Sequence, residues 1–377
     1  MGNIGVKING EMFSTDINTQ EPPSLQKNLR RMRDYNTNYC VMEVSSQGLD
    51  MKRVLGCDFN IAIFTNLTQD HLDYHQTFEE YRNAKGMLFS RLGSDLSANN
   101  NKYAILNADD PNIGFFKKIS SGEVITYGIQ NNTDVAATNI RMTSQGIQYI
   151  LNSFKGTIEI NLHLVGKFNI YNSLAAIAAA LVEGISLKQI QQSISKLKSI
   201  SGRMEIVDNE QELLVLVDYA HTPDALENAL KSIKEFSSGK ILTVFGCGGD
   251  RDKGKRSLMG EIASKYSDLI FITSDNPRNE DPKAIIDDIE KGINMINKVN
   301  YECIVNREKA IKEAIRIAKP GDIILIAGKG HETYQQFKDK TIHFDDREVA
   351  KKSIKRNTKQ LMLHVFVISE KFYLITK

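Results

Sequence analysis

Tryptophan is absent from the 377 residues, proline occurs seven times and cysteine four times. The missing tryptophan excludes nothing. The cysteines, Cys40, Cys57, Cys247 and Cys303, form no C-x-x-C pair and no zinc spacing. In a chain this long they read as reduced thiols, which points to the cytoplasm. Neither charge sign is in excess, since 48 Lys and Arg against 46 Asp and Glu leave +2. No basic field therefore argues for a nucleic-acid or membrane-surface partner. No apolar run approaches the ~18 residues of a membrane span. Met1 to Gly10 is too poor in apolar residues for a secretory leader, so the Asn-Leu-Thr triplet at Asn66 is not read as a glycosylation site. Charged residues at 25% and apolar ones at 41% leave an ordinary soluble globular composition. At roughly 150 residues per domain the length allows two or three domains.

Residues 1–40 read as loop-rich, with a break at Thr19 to Ser24 and a basic helix from Leu25 to Tyr35. Short apolar runs at Tyr39 to Val44, Phe59 to Thr65 and Tyr103 to Leu106 have the look of buried parallel strands. Thr77 to Leu92 reads as a helix. Residues 121–165 alternate like an antiparallel section, and helices follow at Phe168 to Glu183 and Ile185 to Leu197. After a junction at Ser199 to Arg203, strands at Leu213 to Asp218, Lys240 to Phe245, Leu269 to Thr273 and Ile323 to Ala327 alternate with helices near 223–236, 256–265, 282–296 and 307–318. That alternation predicts an α/β fold, a parallel sheet with helices on both faces.

Chemistry-bearing residues cluster behind the strands, where open α/β sheets gather ligands. Glu43, in Glu43-Val-Ser-Ser, suits a magnesium ion, although alone it reads as a loop residue. Asp70, His71, Asp73 and His75 crowd behind the next strand in a pattern that serves a metal or a capped turn equally; His75 alone reads as structural. Lys85 is a helical lysine one turn after Tyr81, with a surface salt bridge as its default. In Val217-Asp-Tyr-Ala-His-Thr-Pro-Asp, a strand ends at Asp218, Thr222 reads as an N-cap, Pro223 opens a helix, and His221 stands near helix N–H groups that favour phosphate. Phe245-Gly-Cys-Gly-Gly-Asp-Arg-Asp-Lys-Gly-Lys-Arg brings glycine and positive charge to one turn but fails the G-x-G-x-x-G spacing, which disfavours a nicotinamide enzyme. Ser274-Asp-Asn-Pro-Arg offers Arg278 as a fork for a carboxylate and Asp275 for an amine. Ala327-Gly-Lys-Gly-His-Glu offers Glu332 for an ammonium group. A cation and anions at neighbouring strand ends suit an amino-acid ligand, while turn chemistry would serve the same Gly and Pro.

Taken jointly, eight strings in order resemble the Mur ligases: EVSS, TNLTQDHLDYH, HLVGKFNIYN, SGRME, VDYAHTPDAL, FGCGGDRDKGKR, DNPR and AGKGHE. The resemblance spans about residues 1–350, and the branch it fits best adds the third peptide residue of peptidoglycan precursors. It implies a central ATPase domain over 1–199, mostly parallel sheet with helices, then a Rossmann-like amino-acid-binding domain over 200–350, with 351–377 an unmatched tail. The implied reaction is ATP-dependent. The γ-carboxylate of UDP-MurNAc-L-Ala-D-Glu becomes an acyl phosphate, and meso-diaminopimelate attacks it through its amine.

The same resemblance implies Glu43, His71 and Lys85 as catalytic, metal-holding positions. Lys85 would carry a CO₂-derived carbamate that turns its cation into an anion for Mg²⁺. Ser45, Arg53 and Thr19 match contacts to the nucleotide-sugar peptide; Asn169, Arg203, Asp218 and His221 match positions near ATP. Arg251, Asp275, Asn276, Pro277, Arg278, Gly328 and Glu332 match the diaminopimelate pocket. DNPR with Arg278 marks the branch whose substrate has a distal carboxylate.

The departures from the family pattern carry their own expectations. No G-x-x-x-x-G-K-[ST] occurs, so the central domain is expected to be short of its front end and the chain alone to have little or no ligase activity. Gln20, Gln47 and Met51 stand where the family has Thr, His and Gln. Alternatives are a non-catalytic remnant that keeps an amino-acid-binding module, and a folate-polyglutamate synthetase-like ligase, which DNPR and GKGHE argue against. Expected partners are the small-molecule substrates, with a separate N-terminal fragment as a further candidate and a monomer otherwise.

Overall fold

The computed structural model describes residues 1–2, 4–15, 17–68, 72–93, 101–207, 213–296 and 300–355. They divide into two units. One comprises Met1–Thr138, Ile150–Ile158 and Tyr171–Ile190; the other comprises Asn139–Tyr149, Glu159–Ile170 and the chain from Gln191 onward. Among the described residues no helix is long and apolar enough to cross a membrane.

In the first unit, the region read as loop holds an antiparallel hairpin, Val6–Ile8 with Glu11–Phe13. Asn9 and Gly10 both take positive φ, 47° and 89°, which is the two-residue turn that Asn-Gly favours. Helix Pro22–Asp34 starts on two prolines and buries Leu25 and Met32. The strand expected at Tyr39 to Val44 does not form. Met1 lies along it, giving a bond to Val41 O at 2.8 Å and taking the Glu43 N–H at 2.9 Å. Tyr39 and Val41 stay 62% and 82% exposed, and although Met42 and Val44 pack against Leu25, Leu49 and Val54, no strand among the described residues pairs with the segment to make a ladder.

Strands Ile61–Phe64, Tyr103–Asn107 and Glu123–Gly128 pair in parallel, and Glu123–Gly128 continues in parallel onto Val135–Thr143 over two residue pairs. The expectation of an antiparallel section from residue 121 is thus wrong for its first strand. Helix Ile113–Ile119 supplies the crossover that returns the chain in the same direction. Two-residue links, the hairpin spacing, come later, between Val135–Thr143, Gly146–Ser153 and Gly156–Leu162. Thr77 caps helix Phe78–Ser90 by accepting the Glu80 N–H. Its Phe89 packs with Phe64 and Phe116, the latter two stacked at 4.0 Å.

The second unit carries a six-stranded sheet in the order Asn300–Cys303, Leu269–Ile272, Ile241–Phe245, Ile323–Ala327, Leu214–Asp218 and Glu205–Ile206, parallel except for the last. Its central strands are buried along their whole length. Leu214, Leu216, Phe245 and Leu325 face helices Pro223–Lys234, Gly254–Tyr266 and Pro282–Ile296. Val215, Val217, Val244 and Ile326 face helix Arg307–Ile317 and residues Ala350 and Ile354. Unbroken apolar runs are what covering both faces requires. The chain runs outward from Leu214–Asp218 and then returns to insert Ile323–Ala327 beside it. That reversal opens a crevice at the carboxyl ends, where Asp218, Gly246, Ser274 and Gly328 emerge.

Candidate functional site

Around one cleft of about 1900 Å³ the first unit gathers Thr19, Glu43, Ser45, Arg53 and Lys85. Glu43 Oε1 accepts from Asn18 Nδ2 at 2.8 Å. Thr19 Oγ1 donates to Glu43 O at 3.1 Å and accepts the Ser45 N–H at 2.8 Å. Ser45 Oγ caps the short helix Ser46–Asp50 by accepting the Gly48 N–H. Arg53 bonds Thr19 O at 3.1 Å and Glu21 at 2.8 Å. Its Nε is buried with no hydrogen-bond partner among the described residues, a donor still to be satisfied. Lys85 Nζ lies 5.1 Å from the Tyr81 ring centroid. His75 is buried with Nε2 2.9 Å from Ser46 Oγ, the structural role its sequence suggested.

His71 and Asp70 lie outside the described residues. Among the described residues no group of three His, Cys, Asp or Glu could hold a metal ion. Glu43 supplies one hard oxygen suited to Mg²⁺, while an unmodified Lys85 is a cation and cannot ligate it. These residues alone do not make a magnesium site.

In the second unit, four ATP candidates fall into two places. Asn169 is buried and gives its side-chain N–H to Val165 O at 2.8 Å. At the end of Leu214–Asp218, Asp218 accepts the backbone N–H groups of Met204 and Ala220 at 2.7 and 2.8 Å. Burial raises its pKa above the ordinary value. That carboxylate is a backbone clasp rather than an open ligand. Arg203 stands 5.8 Å over the Tyr219 ring, and His221 Nδ1 lies 2.9 Å from Tyr219 O. Tyr219 and His331, which the sequence reading passed over, complete this cluster with ring centroids 5.0 Å apart. Thr222 caps the following helix as expected.

The residues matched to diaminopimelate converge at the crevice. Ser274-Asp-Asn-Pro-Arg leaves Leu269–Ile272, and Gly328 to Glu332 leave Ile323–Ala327 two strands away. Asp275 is 7% exposed, Asn276 2% and Lys329 0%. Asn276 Nδ2 donates to Glu332 Oε2 at 2.9 Å. Lys329 Nζ donates to Asn276 Oδ1 at 3.1 Å and to Glu332 Oε2 at 2.8 Å. Asn276 Oδ1 also takes the Gln336 N–H at 3.0 Å, and Gln335 Nε2 holds Asp275 O at 2.7 Å. Arg278, at φ 50°, gives one Nη1 bond to Gly249 O at 2.8 Å, which fixes one arm of its fork. Arg251 reaches the same glycine turn, its Nη1 3.4 Å from Asp250 O. Pro277 O receives the Glu280 N–H. Gly328, at φ 114°, has no room for a side chain, since a Cβ there would stand 2.7 Å from Asp275 Oδ2.

A model of the Mur ligase middle domain matches residues 1–180, and one of the Mur ligase glutamate ligase domain matches residues 202–330. The chain is 48% identical to the UDP-N-acetylmuramoyl-L-alanyl-D-glutamate--2,6-diaminopimelate ligase of Bacillus velezensis, over 94% of this chain and 72% of that protein. It is 47% identical to the protein of the same name from Clostridium botulinum, over 94% and 71%. A solved structure of a ligase of that name superposes with a TM-score of 0.70 at 35% identity, covering 95% of this chain and 72% of the other. The MurF ligase of Thermotoga maritima, solved in complex with ADP, shares the fold at a TM-score of 0.56 and 16% identity, over 86% and 68%. With near 50% identity sustained along almost all of its length, and with both domain models matched in order, the chain belongs to the Mur ligase family.

Proposed function

We propose that this chain serves the reaction named for its relatives, joining meso-diaminopimelate to the D-glutamate γ-carboxylate of UDP-MurNAc-L-Ala-D-Glu with ATP. A carboxylate oxygen takes the γ-phosphoryl group and ADP leaves. The amine nitrogen then attacks the acyl carbon, loses a proton and expels phosphate. Side chains do little bond-making in such a sequence; they position and neutralise charge. In this reading Arg278 pairs with the distal carboxylate of the amino acid, while Asp275 and Glu332 take its ammonium group, with Asn276, Pro277, Gly328 and Arg251 shaping the pocket. Thr19, Ser45 and Arg53 contact the nucleotide-sugar peptide, and Asn169, Arg203, Asp218 and His221 lie toward ATP. A carbamate on Lys85 would add a second anion beside Glu43 for Mg²⁺, with His71 as the third position of that set.

The observation that carries the proposal is the gathering of Arg278, the buried Asp275 and the partly exposed Glu332 on two loops at the strand carboxyl ends, with Asn276 of the first loop bonded to Glu332 of the second. A guanidinium reads a planar carboxylate, and an amino acid without one leaves it unpaired. Calorimetry on the 377-residue chain tests this. Meso-diaminopimelate should bind at least about tenfold tighter than L-lysine, which has the ε-amine but no distal carboxylate. Arg278→Ala should erase that preference. Equal binding of lysine by the unsubstituted chain would refute the assignment.

A further inference from the structure

Lys329 is the one fully buried lysine among the described residues, and it lies inside the candidate amino-acid pocket without facing solvent. An ammonium group taken wholly out of water is expensive unless it is paired and hydrogen-bonded. Here Nζ has Glu332 Oε2 at 2.8 Å and Asn276 Oδ1 at 3.1 Å, with the Tyr334 ring centroid 5.3 Å away. Those partners sit on two loops that leave different strands. Nζ also settles which way the Asn276 amide points. Oδ1 accepts from Lys329 and from the Gln336 N–H, so Nδ2 must be the atom that donates to Glu332. The bonds from Asn276 and Lys329 both fall on Glu332 Oε2, which presents Oε1 as the oxygen for a ligand. The charges fit as well. Asp275 and Glu332 supply anions for an ammonium, and Arg278 a cation for the carboxylate beside it, while Lys329 is already paired with Glu332.

We propose that Lys329 is a positioning residue for ammonium recognition. It locks Glu332 and Asn276 into one arrangement, and so sets the pocket's preference for a substrate bearing a distal amine beside its distal carboxylate. The inference rests on the functional reading above. Without Lys329, Glu332 and Asn276 keep one bond to each other and lose their shared anchor. Glu332 then meets the ligand's ammonium without the cation that holds its Oε2. The carboxylate clamp at Arg278 is untouched, so recognition of the two charged groups should separate.

The test compares meso-diaminopimelate with 2-aminopimelate, which keeps both carboxylates and lacks one amine, by calorimetry on the full chain. The unsubstituted chain should favour meso-diaminopimelate by about tenfold or more, the worth of a charge-assisted hydrogen bond. Lys329→Met should cut that ratio to about threefold or less while 2-aminopimelate binding changes less than about twofold. Melting curves establish that the variant is folded. Should it melt below the assay temperature, Lys329→Gln, smaller and still a donor, carries the same comparison. An unchanged or sharper preference in a folded variant overturns the proposal, and so does an equal loss for both ligands, which a purely structural lysine would give. If the unsubstituted chain discriminates neither ligand, the ammonium is not read and the proposal falls. If it binds neither, the functional reading falls with it.

Discussion

At the scale of single residues, the pocket depends on positions where one side chain or none will fit. Gly328 combines a φ of 114° with the Asp275 Oδ2 oxygen 2.7 Å from where a Cβ would stand. Gly328→Ala must therefore strain its backbone and push Asp275 at once. We expect a loss of about 1–3 kcal/mol in stability. Calorimetry should show at least about tenfold weaker binding of meso-diaminopimelate, the cost of one misplaced charged contact. Native binding by the alanine variant would remove Asp275 from the ligand. Arg278, Asp275 and Glu332 were legible in the sequence because they stand just past apolar runs, where strand ends meet ligands. Lys329 was not. Between two glycines it reads as turn chemistry, and only the packing of two distant loops buries it. Tyr219 and His331 escaped for the same reason: their ring contact joins residues more than a hundred positions apart in the chain.

At the scale of elements, two buried arginines hold the helices that frame the crevice. Arg256, 1% exposed on helix Gly254–Tyr266, reaches Glu280 at 2.8 Å and Asp288 at 3.0 Å on helix Pro282–Ile296. The Arg256 hydrogen bond, with the Asp250 N–H, lowers the Glu280 pKa from 4.5 to about 2. A carboxylate whose folded pKa is depressed adds stability above its unfolded value and loses it as pH falls toward the folded one. Glu280→Gln should therefore be about 1–2 kcal/mol less stable at pH 7 in urea unfolding, its partial exposure moderating the loss. The gap to the parent should close between about pH 4.5 and pH 2. A gap independent of pH would assign the effect to shape instead of charge. Arg307 and Asp346 are both fully buried and paired at 2.7 Å, and Arg307 also donates to Ala327 O at the strand end that precedes Gly328. Asp346→Ala should cost about 3–5 kcal/mol, measured by the same method, because it strands a buried cation. The strand–helix alternation beyond residue 213 was readable because strands covered on both faces are apolar throughout. Asn300–Cys303 was missed because it is an edge strand, largely exposed and polar, and Tyr39 to Val44 looked like a strand because its apolar residues pack on Leu25, Leu49 and Val54 without a partner strand among the described residues.

At the scale of the whole molecule, binding of the amino acid and turnover of ATP make separate demands on the chain. The diaminopimelate candidates all lie in the second unit, on loops braced by a six-stranded, mostly parallel sheet. Transfer of a γ-phosphoryl group asks for something more, glycine-rich backbone N–H groups around the β- and γ-phosphates and a lysine upon them. No G-x-x-x-x-G-K-[ST] stands anywhere in these 377 residues, and Lys253-Gly-Lys-Arg-Ser and Ala327-Gly-Lys-Gly-His fail its spacing. The helix that starts at Gly254 has no side-chain cap, but Lys255 is already spent on His221 O at 2.8 Å, so that turn is a poor substitute. The two demands should come apart in solution. The purified 377-residue chain should give binding heat with meso-diaminopimelate, while phosphate release in the presence of ATP, Mg²⁺, the UDP-sugar dipeptide and the amino acid stays at the level of a no-protein blank. Turnover at an ordinary ligase rate of about 1–10³ s⁻¹ would mean that another turn of this chain holds the phosphates. The FGCGGDRDKGKR turn would then be the first place to substitute, with Lys253→Ala and Lys255→Ala expected to abolish the release.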